Sequence, residues 1–99
     1  MFHKIKRVFA VPGYSIIVTF EDGTDKEYDL NPLIERNEKF KKLKDNKLFY
    51  KTHIDVDKCG VVWDDRLDIS SEEIWDNGEI MKTYTIDELK EELGLALDE

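Results

Sequence analysis

The chain has 99 residues, 40% of them hydrophobic, with a formal net charge of -8 at pH 7. That composition suits one small domain with a core and excludes overall disorder, and no apolar run approaches the ~20 residues a membrane-spanning helix needs. A single cysteine, Cys59, excludes an intrachain disulfide.

The first segment, "MFHKIKRVFAV", carries basic residues but no signal-peptide hydrophobic region and no small-residue cleavage site, so a cytoplasmic protein is expected. Lys4–Val11 alternates and reads as a strand with Ile5, Phe9 and Val11 on one face. Pro12-Gly13 signals a turn. Tyr14–Phe20 is β-branched and aromatic, with Tyr14, Ile16, Val18 and Phe20 sharing a face and Ile17 opposite. Glu21–Thr24 is a tight hairpin turn, Asp22-Gly23 tolerating the positive φ that a twisted hairpin requires. Thr24–Leu30 returns with Tyr28 and Leu30 inward and Asp25, Glu27 and Asp29 outward. Together these predict an antiparallel meander with one wet face.

The middle of the chain reads as short helical pieces. Asn31 is placed to cap a helix in which Pro32 takes the first position, where its missing N–H does no harm. Asp45 is placed to cap a second, and Phe40, Leu43, Leu48 and Phe49 are the apolar anchors. Lys39, Lys41, Lys42, Lys44 and Lys47 make a basic stretch, but no aromatic stacking platform or glycine-rich phosphate loop accompanies it. It is expected to be a solvated face. Thr52–Val56 and Val61–Trp63 then read as a second hairpin, turned at Asp57–Gly60, with Trp63 in the core.

Two helix starts follow. Ser70 and Glu73 form a capping box with Ile69 and Ile74 as its hydrophobic staple, the helix ending near Asn77-Gly78. Thr85 and Glu88 repeat the device with Tyr84 and Leu89, and Ile86, Leu89 and Leu93 make one apolar stripe before Gly94. The fold class is therefore α+β: a small antiparallel sheet, built from the N-terminal three-strand meander plus a second hairpin, with short helices and a C-terminal helix. Residues 1–76 are expected to form the domain, and 77–99 an acidic extension with one amphipathic helix.

Charge is unevenly spread. Residues 1–63 hold 12 basic and 10 acidic side chains, a sum of +2, whereas residues 64–99 hold 3 and 13, a sum of -10. Such a surface repels nucleic-acid phosphates and anionic membranes and attracts basic partners.

No chemistry stands out. "DVDKCGVVWDDR" begins like a calcium loop, with Asp55, Asp57 and Gly60 in register, but Arg66 stands where the bidentate carboxylate must be. His3, His53 and Cys59 lack zinc-ligand spacing, and Cys59 with His53 lacks an oxyanion-hole motif. No phosphate loop, dinucleotide fingerprint or nucleophile elbow is present. No cofactor or metal is expected.

The order of features resembles a bacterial family known as domain of unknown function 2442. The matching positions are Phe20, Asp22, Gly23, Asp29, Leu30, Leu43, Asp45, Phe49, Gly60, Trp63, Asp68 and Ile69, within residues 4–76. Members often carry Asn-Gly after the tryptophan, where this chain has Asp65-Arg66, so a tight turn there is not assured. The resemblance implies a small α+β domain without established enzymatic activity. It also implies frequent pairing in bacterial genomes with another small protein, the basis of a proposed toxin–antitoxin role.

Resemblance and charge together lead to a non-enzymatic protein-binding module, the acidic, antitoxin-like member of such a pair. Its expected partner is a basic protein, encoded by a neighbouring gene, with self-association left open and neither membrane nor direct nucleic-acid binding expected. The candidate partner-binding residues are Asp64, Asp65, Arg66, Trp75, Ile86, Leu89 and Leu93. The alternative is a small-molecule-binding or enzymatic domain using the Trp63–Trp75 region.

Overall fold

The structure, a computed structural model, describes residues 3–81. It is an α+β fold of two small antiparallel sheets around one core. The first sheet contains β1 (Ile5–Val11), β2 (Ser15–Phe20), β3 (Asp25–Asp29) and the short β7 (Glu79–Ile80), in the order β1-β2-β3-β7. The second contains β4 (His53–Ile54), β5 (Gly60–Asp64) and β6 (Leu67–Ser70), in chain order. Helices α1 (Asn31–Arg36) and α2 (Asn46–Phe49), with a 3-10 turn at Phe40–Lys44 between them, connect the sheets, and α3 (Ser71–Asn77) follows β6. No helix among the described residues is long and apolar enough to cross a membrane.

The meander is as the sequence predicts, with one correction. Ile5 pairs with Phe20 but Arg7 already pairs with Thr19, so a bulge lies between them. One extra residue reverses every later side chain of the strand. Val8 and Ala10 therefore pack against the core, and Phe9, expected inside with Ile5, is 57% exposed. The β2–β3 turn closes through a three-residue loop. The Gly23 N–H donates to the Phe20 carbonyl at 2.9 Å, and the Phe20 N–H to that of Thr24 at 2.8 Å. Gly23 alone takes the left-handed conformation, at φ 93°, as a hairpin of this length requires. Ile16, Val18, Phe20, Tyr28 and Leu30 point inward and are buried.

Asn31 does not cap α1. The N-cap is Leu30, and the Asn31 side-chain amide instead donates to the Gly13 carbonyl (2.9 Å) and to Asp29 Oδ1 (2.8 Å). Asp29 Oδ1 also accepts the Asn31 N–H at 3.0 Å, so the preceding carboxylate has taken the role expected of the asparagine. Pro32 sits in the first turn, as anticipated. Asp45 does cap α2, accepting from the Lys47 N–H at 3.0 Å. Phe40, Leu43 and Phe49 are buried.

The second sheet has a strand more than the expected hairpin. Asp64 Oδ1 accepts the Arg66 N–H at 2.8 Å, and this turn sends the chain back as β6 along β5. Buried Leu67 and Ile69 alternate with exposed Asp68 and Ser70. Trp63 is 2% exposed, its ring edge-on to Phe40 with centroids 6.3 Å apart.

The Ser70 box is half formed. Ser70 Oγ accepts the Glu73 N–H at 3.1 Å, and Ile69 and Ile74 are both buried as the staple requires. The Glu73 carboxylate turns to Tyr28 and Asn77 instead of back to Ser70. Gly78 ends α3 for reasons of space: a Cβ there would lie 2.6 Å from the Ile74 carbonyl oxygen and 3.3 Å from that of Glu27. The helix thus ends against β3, and β7 begins. The expected C-terminal helix, with Thr85, Glu88, Ile86, Leu89 and Leu93, lies outside the described residues.

Candidate functional site

β7 pairs with β3 only at Lys26 and Glu27. Beyond them, Tyr28 and Asp29 have no partner strand on that side among the described residues. A cleft of about 640 Å³ opens there, within the size range of small-ligand sites. Helix α1 lines it with Pro32, Leu33 and Arg36, and α3 with Glu73 and Asn77.

Four carboxylates line this cleft: Glu27 and Asp29 from β3, Glu73 from α3 and Glu79 from β7. Arg36 is its one guanidinium and makes no ion pair among the described residues. Tyr28 donates its hydroxyl to Glu73 Oε2 at 2.8 Å. Burial, and then that bond to a carboxylate, hold the Tyr28 hydroxyl well above its usual pKa. Glu73 Oε2 also accepts from the Asn77 side chain at 3.0 Å, which fixes its orientation. The remaining oxygens are acceptors only, and a group carrying several N–H donors and positive charge suits them.

The sequence-derived candidates lie elsewhere. Asp64, Asp65 and Arg66 form the β5–β6 turn and, with Lys42, line a second, more open depression of about 320 Å³. Trp75 is half-buried on α3. Its ring stacks on His3 with centroids 3.8 Å apart at 11°, meets the Phe20 ring edge-on at 4.9 Å, and has the Lys26 ammonium 4.6 Å from its centroid. Lys26 also donates to the Trp75 carbonyl. His3 is anchored in turn by Glu72, which accepts from its backbone N–H at 2.6 Å and lies 3.0 Å from its ring Nδ1. These two contacts hold the Glu72 carboxyl below its usual range.

Trp63 and Trp75 thus have different aromatic neighbours, and neither lines either depression. Cys59 and His53 each bond within their own turn, to the carbonyls of Asp57 and Lys51. The basic side chains Lys39–Lys47 are exposed, and Lys41 pairs with Glu38 at 3.1 Å. Ile86, Leu89 and Leu93 lie outside the described residues.

The sequence did not single out the cleft. Glu27 and Asp29 read as ordinary wet-face residues, Glu73 as half of a capping box, and Glu79 as part of the acidic extension. The available signal was their alternation with Tyr28 on a strand ending at Asn31-Pro32, but only β7 brings the four carboxylates together.

No curated protein and no solved structure matches this chain. One family model does, described as "Protein of unknown function (DUF2442)", over residues 5–79. That span begins at the first residue of β1 and ends at the first residue of β7. It takes in both sheets and all of the acidic cleft, and the chain belongs to this family.

Proposed function

We propose that this chain is a non-enzymatic protein-binding module, the acidic, antitoxin-like member of a toxin–antitoxin-type pair, and that the cleft between α1 and α3 receives a basic side chain of the partner. The observation that carries this reading is the excess of four carboxylates over one guanidinium around a cleft of about 640 Å³. The sum of -10 over residues 64–99 supports it, because that charge speeds encounter with a basic surface. Asp64 and Asp65, at the β5–β6 turn, would offer a separate acidic contact.

The test is co-expression with the protein encoded beside it, followed by affinity co-purification at low and high salt. A complex is expected at micromolar concentration, weakening as salt rises. Glu79→Lys is expected to weaken it at least tenfold, since it reverses a charge on an exposed side chain. Absence of a complex at low salt, or one indifferent to Glu79→Lys and to salt, would overturn the proposal.

A further inference from the structure

The first sheet has a second face, turned away from the core. Strand register sets its rows: Arg7, Thr19 and Asp25; then Phe9, Ile17 and Glu27; then Val11, Ser15 and Asp29. Phe9, 57% exposed, lies directly across from half-buried Ile17, and half-buried Val11 follows on the same strand. The bulge in β1 puts this apolar patch where a wet face would carry polar residues.

The patch and the acidic cleft form one surface. Ser15, Glu27, Asp29 and Glu79 line the cleft, and by register they also flank Phe9, Ile17 and Val11. Ser15 stands between Val11 and Asp29 in its row, and Glu27 follows Phe9 and Ile17 in the next. From Asp29 to Phe9 is two strands across and one row along, about 12 Å, which about four residues of extended chain span. With Asp25, four carboxylates border the patch on the side of β3 and β7. The basic side chains of β1, Lys6 in the bulge and Arg7 beside it, stand at the end away from Asp29 and Ser15.

We propose that this outer face continues the interface of the cleft: a segment of the basic partner lays apolar side chains on Phe9, Ile17 and Val11 while a neighbouring lysine or arginine enters the cleft. The inference rests on the reading of the cleft given above for the basic half of the contact, and adds the apolar half. An apolar centre inside a charged rim is the anatomy of a protein-docking surface. The sign of the rim selects the occupant. Nucleic-acid phosphates and anionic membranes are repelled by it, and a second copy of this chain brings the same carboxylates. A protein segment that mixes apolar and basic side chains satisfies both halves at once.

The test titrates the full chain, at low salt, with two synthetic peptides of equal length and equal arginine content, one carrying leucine and the other serine at the remaining positions. The leucine peptide is expected to bind about tenfold tighter, the worth of one buried apolar side chain, and to shift the amide signals of Phe9 and Ile17. Phe9→Thr or Val11→Thr, each keeping a strand-forming residue, should remove that gain and leave the serine peptide's affinity unchanged. Glu79→Lys should weaken both peptides about tenfold. Serine-peptide binding that needs Glu79, with no gain from leucine or a gain indifferent to both threonine variants, overturns this inference and leaves the cleft reading standing. A leucine gain that needs Phe9, in a chain where Glu79→Lys changes nothing, keeps the apolar contact and overturns the cleft. Binding of neither peptide overturns both, and dimers that Phe9→Thr dissolves overturn the inference by assigning the face to a second copy.

Discussion

The two tryptophans stand twelve residues apart in one acidic stretch, yet they are held by different physics. Trp63 lies in β5, 2% exposed, between sheet and helices, with Phe40 as its ring neighbour. Trp75 lies half-exposed on α3, gripped by a histidine, a lysine and a phenylalanine from the first sheet and the residues before it. The first is fixed by removal of apolar area from water, which involves no titrating group. The second depends on charged neighbours, and its attachment answers to solution conditions.

The contrast can be broken in three ways. The largest effect is expected for Trp63→Ala, a loss of about 3–5 kcal/mol in chemical denaturation, because the vacated volume lies inside a packed core. Trp75→Ala is expected to cost less, about 1–2 kcal/mol, since only part of its surface is buried. Equal costs for the two would erase the distinction.

The smallest effect concerns pH. Glu72, which anchors His3 on the Trp75 ring, has its pKa lowered in the folded chain by the His3 contacts. A carboxylate depressed on folding contributes stability above its unfolded pKa and loses it as pH falls through the folded value. Glu72→Gln should therefore be less stable than the parent at pH 7, and the gap should close as the solution is acidified below the carboxylate range. Urea midpoints of both proteins at pH 7 and pH 3 check this, and a gap that widens in acid would contradict it.

The legible parts of this fold are those written in local chemistry. The Asp22-Gly23 turn, the alternation of Ile16, Val18 and Phe20, the Asp45 cap and the Ser70 cap with its isoleucine staple all depend on neighbours a few residues away. What was missed depends on distant ones. The β1 bulge is set by pairing with β2, and nothing within Lys4–Val11 marks it. β6 is hidden although Leu67-Asp68-Ile69-Ser70 alternates, because Ile69 also fits a helix staple and Asp65-Arg66 lacks the usual glycine. β7 is two residues long, too short for any periodicity. The acidic cleft was invisible for the same reason, since its carboxylates come from β3, α3 and β7 and meet only in space.

The short reach of β7 has a consequence for how the protein behaves in a crowded solution. A free sheet edge invites pairing with another chain, and folded proteins blunt such edges with short strands and charge. Here β7 covers half of β3, and the uncovered half is bordered by carboxylates, with Glu27 and Glu79 directly opposite one another. The like edge of a second copy brings the same charges and is repelled. The edge is thus guarded by its own charge where no strand covers it.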